Sequence, residues 1–420
     1  MASDTRPRSC TGWADPFLAQ GAVGLLFWIG KDAISLNSTT AALILVAGVF
    51  STLAPLEIWR APWRRQPPSS DVLWRIILRA YVKLLGCAAG LAMIASLYWL
   101  VPEYRKPFYE PFFTVLWQLR VLIPCVIVYF FYAEWRFPSG DDGYWQMGML
   151  ALGKYRSVDY AVLRQNVLAW LVRGFFLPIM LGDLVTGVEI MRSTIWDSMA
   201  WFPLLVDNVI VACFTFELAV VVAGYAAPCR LLDNYIREVE SSGAGWFAAL
   251  VCYGPFYGFL FAHYFAYRSE VAWDSWLAGW PIARGFWGTG IIVAVLVHLW
   301  SDSCLGLRFS NLTNRGIVTN GAYRFCKHPA YLFKNIGWWL MSVPFVAGGE
   351  ITENIRLSLL LAGVNLIYFW RSAREERLLS HDPHYAAYAE WMERHGPLRF
   401  IGSVWPALRF SSRQKKWAMD

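Results

Sequence analysis

Apolar stretches recur along the chain with short polar pieces between them. They fall at 17–30, 38–59, 76–101, 112–133, 161–188, 202–224, 246–267, 286–304, 332–347 and 355–370. A bilayer-crossing helix needs about 20 mainly apolar residues. Most of these stretches supply them, although 17–30 is short and 332–347 is marginal. The pattern predicts an all-α, polytopic integral membrane protein of about ten transmembrane helices.

The polar connections alternate in charge. Arg60, Arg64, Arg65 and Arg75; Arg136, Lys154 and Arg156; Arg230 and Arg237; and Arg308, Arg315, Arg324 and Lys327 fall on one side if all ten stretches cross. Arg371, Arg374 and Arg377 join them, as do Arg413, Lys415 and Lys416. The intervening loops are poor in basic residues apart from Arg105 and Lys106. Lysine and arginine favour the cytoplasmic side, so both termini are expected in the cytoplasm. No convincing small-residue cleavage site follows the first apolar run, which is therefore expected to be retained. Polar residues become concentrated after about residue 285. Residues 1–245 read as N-terminal transmembrane helices of unassigned role, and 246–420 as the core carrying a cytoplasmic site.

Composition agrees with a membrane protein. The 420 residues are 57% hydrophobic and 16% charged, include 24 tryptophans and have a mean hydropathy of +0.38. Soluble domains carry roughly 25% charged residues. The tryptophans and tyrosines suit an interfacial belt, and a lipid bilayer is the expected partner. The net charge of +7 does not indicate nucleic acid, because the basic residues sit in alternate connections and form no single basic face. Cysteines 10, 87, 125, 213, 229, 252, 304 and 326 form no CxxC pair. Neither a disulfide framework nor a zinc site follows from them, and no metal is expected.

Two polar stretches stand out. In 305–335, Gly316 and Gly321 mark turns, and Pro329 suits the first position of a helix, where its missing N–H costs nothing. Lys327 and His328 then sit at a helix N-terminus near the membrane surface, where unpaired N–H groups and the helix dipole attract a carboxylate or phosphate. The plainer reading is a basic collar whose long side chains snorkel to the interface. In 369–402, Arg371 and Glu375 are four apart and share a helix face. Alone they would be a solvated surface pair. One short apolar hairpin separates the two stretches, so they should meet.

"GIVTNGAYRFCKHPAY" (316–331), then "REERLL" (374–379) and "HYAAYAEWMERHGPLRFI" (384–401) together resemble the C-terminal signature of the isoprenylcysteine carboxyl methyltransferase family and the related membrane phospholipid methyltransferases. The resemblance covers roughly residues 300–405. It implies a methyltransferase dependent on S-adenosylmethionine, with the cofactor at the cytoplasmic face. Tyr323, His328, Pro329 and Tyr331 match the first motif, with Gly321 as its leading glycine. Glu375 and Glu376 match the second motif, and Tyr385 and Tyr388 match the closing tyrosine pair. Lys327 stands where the family usually has arginine, which keeps the charge and loses the planar fork. "SHDPHY" (380–385) replaces a longer segment.

The residue chemistry suits that cofactor. Its carboxylate would meet Lys327 or the helix N-terminus, its ribose hydroxyls Glu375 or Glu376, and its sulfonium the face of Tyr323 or Tyr331. No GxGxxG follows a predicted strand, so a soluble dinucleotide-type domain is not indicated. Arg371 and Glu375 are the candidate catalytic residues. Asp183, Glu189, Asp207, Glu217, His263 and His298 would be costly against lipid, so each is expected in an internal pair, at the interface or in a cavity. His298 and Asp302 are the best pocket candidates, and with Asn335 and Arg374 they form the candidate acceptor site. The acceptor is expected to be lipid-like or lipid-anchored, with a carboxylate, amine or phosphate left open. An NADPH-dependent, sterol-reductase-like enzyme is an alternative. "KHPAYLFKN" (327–335) lacks the Arg, His, Asn, Tyr arrangement and following Gly-Asp expected of that group. A transporter would predict inverted repeats, and none is visible.

Overall fold

The computed structural model describes residues 5–31, 36–194, 202–268, 271–346 and 350–417. Nearly all of the regular structure is helical. In chain order the helices are α1 (Asp15–Gly30), α2 (Ser38–Arg60), α3 (Leu73–Leu100), α4 (Glu110–Gln118), α5 (Ile123–Arg136), α6 (Gly143–Ala151), α7 (Tyr160–Ser193) and α8 (Phe202–Ala226). There follow α9 (Gly243–Leu250), α10 (Phe256–His263), α11 (Trp273–Trp276), α12 (Pro281–Ser303), α13 (Pro329–Ser342), α14 (Ile351–Leu379), α15 (Pro383–His395), α16 (Arg399–Val404) and α17 (Phe410–Trp417). A two-residue antiparallel pair, β1 (Glu238–Val239) with β2 (Thr313–Asn314), aligns Glu238 with Asn314.

Among the described residues, six helical stretches are long and apolar enough to cross a membrane: Ser38–Arg65, Leu73–Leu100, Pro107–Arg136, Tyr160–Ser193, Phe202–Ala226 and Pro281–Ser303. The chain is therefore a multi-pass membrane protein. The expected stretch 246–267 is not one continuous helix. It breaks between α9 and α10, where Gly254 and Pro255 interrupt the hydrogen-bond ladder. The region 112–133 bends at a 3-10 turn, Leu119–Leu122, just before Pro124. Residue 347, which ends the expected span 332–347, lies outside the described residues. The polar stretch after Trp370 continues α14 without a break.

The main core joins α1, α2, α7 and α8 to the connection after α12. Leu45, Leu53, Phe176, Leu184, Tyr225 and Leu307 are almost wholly buried in it. α8 packs on both α7 and α12, α12 on α13, and α14 on α9. The N-terminal half thus reaches the polar connection directly. Arg308 is buried and pairs with Glu57 of α2 at 2.7 Å, while donating to the carbonyls of Asp233 and Arg315. Arg315 donates to the carbonyls of Gly224, near the end of α8, and of Asn234 and Phe309 in the adjoining turns, so it satisfies buried backbone acceptors. The chain before α1 also docks here. Cys10 N–H bonds to the Ile317 carbonyl at 3.0 Å, and Thr319 Oγ1 bonds to the Pro7 carbonyl at 2.7 Å.

Losing one partner of a buried ion pair costs more than losing both. Arg308→Met is expected to strand Glu57 and destabilise the protein by about 3 kcal/mol. The double variant Glu57→Leu/Arg308→Met should recover more than half of that loss in thermal melts of the detergent-solubilised protein. A double variant that melts as low as the single one would refute the charge-burial account.

Candidate functional site

The turn before α13 is fixed by Gly321, whose φ of +56° favours glycine. A Cβ at that position would also lie 2.3 Å from Cys304 Sγ. α13 starts at Pro329, with His328 as its N-cap residue and no side-chain cap. The side chains of Lys327 and His328 cross to α14 instead. Lys327 Nζ lies 2.6 Å from Glu376 Oε1, and His328 Nε2 lies 3.3 Å from the same oxygen. Arg413, from α17, reaches the other oxygen at 2.8 Å. The two polar stretches do meet, and Glu376 is where they meet. Its carboxyl is 1% exposed. Burial pushes it upward, but Lys327, His328 and Arg413 outweigh burial and hold it at about 2.

The neighbouring acid points elsewhere. Tyr331 O–H donates to Glu375 at 2.8 Å, and the Tyr331 ring stacks on His328 with 5.7 Å between centroids. Arg371, one turn earlier, is buried among three aromatic faces: Tyr331 at 5.1 Å, Tyr253 at 5.3 Å and Tyr368 at 5.9 Å. Its guanidinium donates to the Asn311 side chain and, at 3.3 Å, to Tyr253 O–H. Arg374 donates to Ser242 Oγ at 2.5 Å. Asn335 accepts from Asn365 at 2.7 Å, which in turn accepts from Trp339 Nε1.

Three cavities adjoin here. A central one of about 90 Å³ is lined by Tyr253, His298, Asp302, Tyr331, Arg371 and Glu375, with Glu217, Lys334 and Arg374 also facing it. One of about 390 Å³ lies against Lys327, His328, Asn335, Glu376 and Arg413 and shares His328, Tyr331 and Tyr368 with the first. The third, of about 940 Å³, is walled by apolar residues of α7, α8 and α13, including Met180, Ile210, Phe214 and Trp338. It shares Glu217, Tyr253, Lys334 and Tyr368 with the central cavity. Tyr323 lines the central cavity.

Four of the sequence candidates line none of these three spaces. Gly321 shapes the turn and Pro329 starts α13. Tyr385 and Tyr388 pack with Ile317, Ala389, Met392 and Phe410, and Tyr388 O–H donates to the Tyr323 carbonyl at 2.5 Å. They hold the loop before α13 against α15.

Other residues at the site were not anticipated. Lys334 is an ionisable residue in an apolar helix, a signal that marks functional positions. Tyr253 sits in "CYGPFYG" (252–258), where the Gly-Pro pair carries a break signal that the reading of 246–267 as one span passed over. Nothing in sequence spacing announced Arg413, Asn311 or Tyr368. Comparisons with protein-family models, with curated proteins and with solved structures return no match.

Glu376 adds stability that is fully present above its unfolded pKa, near 4.5, and is lost as pH falls towards 2. Glu376→Gln is expected to cost about 3 kcal/mol at neutral pH. Between pH 4.5 and 2, the difference between wild-type and variant melting curves should shrink. A gap independent of pH would show that the carboxylate charge is not what joins these segments.

Proposed function

We propose that the protein is an integral membrane methyltransferase that uses S-adenosylmethionine and acts on a lipid-like or lipid-anchored acceptor. The observation that carries this reading is the convergence of Lys327 and His328 with Glu376, and of Tyr331 with Glu375, across one helical hairpin. That convergence brings together His328, Tyr331, Glu375 and Glu376, four of the residues on which the resemblance to the isoprenylcysteine carboxyl methyltransferase family rests.

The donor set fits the cofactor. The 390 Å³ cavity falls in the usual range for small-molecule sites, roughly 300–1,000 Å³. Lys327, Arg399, Arg409 and Arg413 line it against the acids Glu376 and Glu393, leaving a basic excess that favours a carboxylate. The Arg413 and Arg374 Nε atoms are buried without a hydrogen-bond partner. Lys327 and Arg413 would hold the amino-acid carboxylate, Glu376 or Glu375 a ribose hydroxyl, and the Tyr331 and Tyr368 rings would tolerate a sulfonium. When bound, the cofactor supplies an electrophilic methyl group. Arg371 and Glu375 face the central cavity, where they would orient an acceptor's nucleophilic oxygen or nitrogen. His298, Asp302 and Arg374 line the same space, and the 940 Å³ apolar cavity beside it suits an acyl or prenyl chain.

In this reading the hydrophobic pattern embeds about ten helical segments, the basic connections keep both termini cytoplasmic, and the cofactor enters from that side. The basic excess would also accept the phosphates of NADPH, so the two ligands must be separated by experiment. Calorimetry on the detergent-solubilised protein is expected to show binding of S-adenosylmethionine and none of NADPH. Lys327→Ala should weaken the former about tenfold, the value of one charge-assisted contact, and Lys327→Arg less. Glu375→Gln should stop transfer of a labelled methyl group to lipid extract even at cofactor concentrations that saturate the variant. Binding of NADPH alone would overturn the proposal.

A further inference from the structure

Glu217 of α8 and His298 and Asp302 of α12 form a buried group that the methyl-transfer reading does not use as a unit. We infer that these three residues form a binding site for a first-row divalent cation such as Zn²⁺ or Mn²⁺, opening onto the central cavity. The inference stands independently of the proposed activity.

One ligand atom from each residue lies within 4.8 Å of the others. His298 Nε2 is 3.1 Å from Glu217 Oε2 and 4.0 Å from Asp302 Oδ2. Ligands held at about 2.0–2.2 Å from one ion are about 3–4 Å apart, so these spacings already match a shared centre. All three residues are at least nine-tenths buried. Yet both ring nitrogens of His298, and Glu217 Oε2, have no hydrogen-bond partner among the described residues. The short His298–Glu217 approach therefore lacks hydrogen-bond alignment, and donor lone pairs are left unspent in a region of low dielectric. Such atoms are costly without a partner. A cation bound through His298 Nε2 would satisfy that nitrogen and Glu217 Oε2 together.

The donor types narrow the ion. One imidazole with two carboxylates suits Zn²⁺, Mn²⁺ or Fe²⁺ better than a thiol-seeking metal, and better than Ca²⁺ with its six to eight oxygens. Three protein ligands facing a cavity leave coordination positions open, as in sites that bind a further ligand through the metal. Lys334 lines both the central and the apolar cavity and forms no ion pair among the described residues. Its nearest recorded ring contacts are Trp338 at 5.9 Å and Phe214 at 6.0 Å. An anion bound to the cation could take this ammonium as its second counter-charge. A carboxylate or phosphate head group is thus the class of ligand this centre would hold.

The test uses tag-free, full-length protein in detergent, stripped with chelator and titrated with Co²⁺ as a spectroscopic probe. The wild type is expected to bind one Co²⁺ per chain with visible d–d bands, and Zn²⁺ should displace it. His298→Ala and Asp302→Asn should each weaken Co²⁺ binding by about tenfold or more, since even losing an outer-shell partner costs about 10–100-fold in metal affinity. Glu240→Gln, altering another acid on the same cavity, should leave it unchanged. If His298→Ala does not fold, the thermal midpoint decides: Zn²⁺ should raise it in the wild type and not in Glu217→Gln. A wild type that binds no Co²⁺, or variants that bind it as tightly, would overturn the assignment.

Discussion

The organisation of the C-terminal region depends on one buried carboxylate. Glu376 lies on α14, yet its two oxygens are held from the start of α13 by Lys327 and His328 and from α17 by Arg413. A charge this deeply buried is tolerated only when paired on every side. Its burial therefore requires three segments, far apart in sequence, to be in place together. Tyr331 follows from the same constraint. With His328 drawn towards Glu376, the stacked Tyr331 ring presents its hydroxyl to Glu375, so two consecutive acids, about 100° apart around α14, are each engaged by one ring of the stacked pair.

The first half of the chain supplies the frame for this arrangement. The connection between α12 and α13 is irregular and largely buried, so each of its backbone groups needs an internal partner. Arg315 and Arg308 meet part of that need by donating to the Phe309 and Arg315 carbonyls of the connection, and they tie it to carbonyls at the end of α8 and in the 233–234 turn, with Glu57 neutralising Arg308. Asn311 links the frame to the site. Its backbone N–H donates to Tyr225, its amide to Tyr253, and its carbonyl oxygen accepts from Arg371. The position of Arg371 is thus set by α8 and the 250–255 turn as much as by α14.

Much of the local structure was legible because it rests on short-range rules. The proline start of α13, the helical continuation past Trp370 and the meeting of the two polar stretches followed from sequence spacing. The break at Gly254 and Pro255 used the same kind of signal, but a hydropathy window averages across it. Lys334 was hidden for a different reason, and Glu217, though expected in an internal pair, at the interface or in a cavity, could not be assigned to one space. Each is a single ionisable residue in an apolar run, and only packing shows that they face the same space as His298. Tyr385 and Tyr388 illustrate the opposite limit: a motif position can persist in a resemblance while its side chain braces a loop.

Arg371 and Glu375 show how far tertiary context changes a local pair. Four residues apart on an exposed helix, they would bond to each other and contribute a few tenths of a kcal/mol. Here Arg371 is held by aromatic faces and neutral oxygens, while Glu375 is held by a tyrosine hydroxyl, and among the described residues neither forms an ion pair. Neutral partners satisfy the hydrogen bonds without cancelling the charges. Both charges therefore keep most of their field across the small central cavity, between low-dielectric protein walls. Their separation by Tyr331 leaves a positive and a negative group both facing the central cavity.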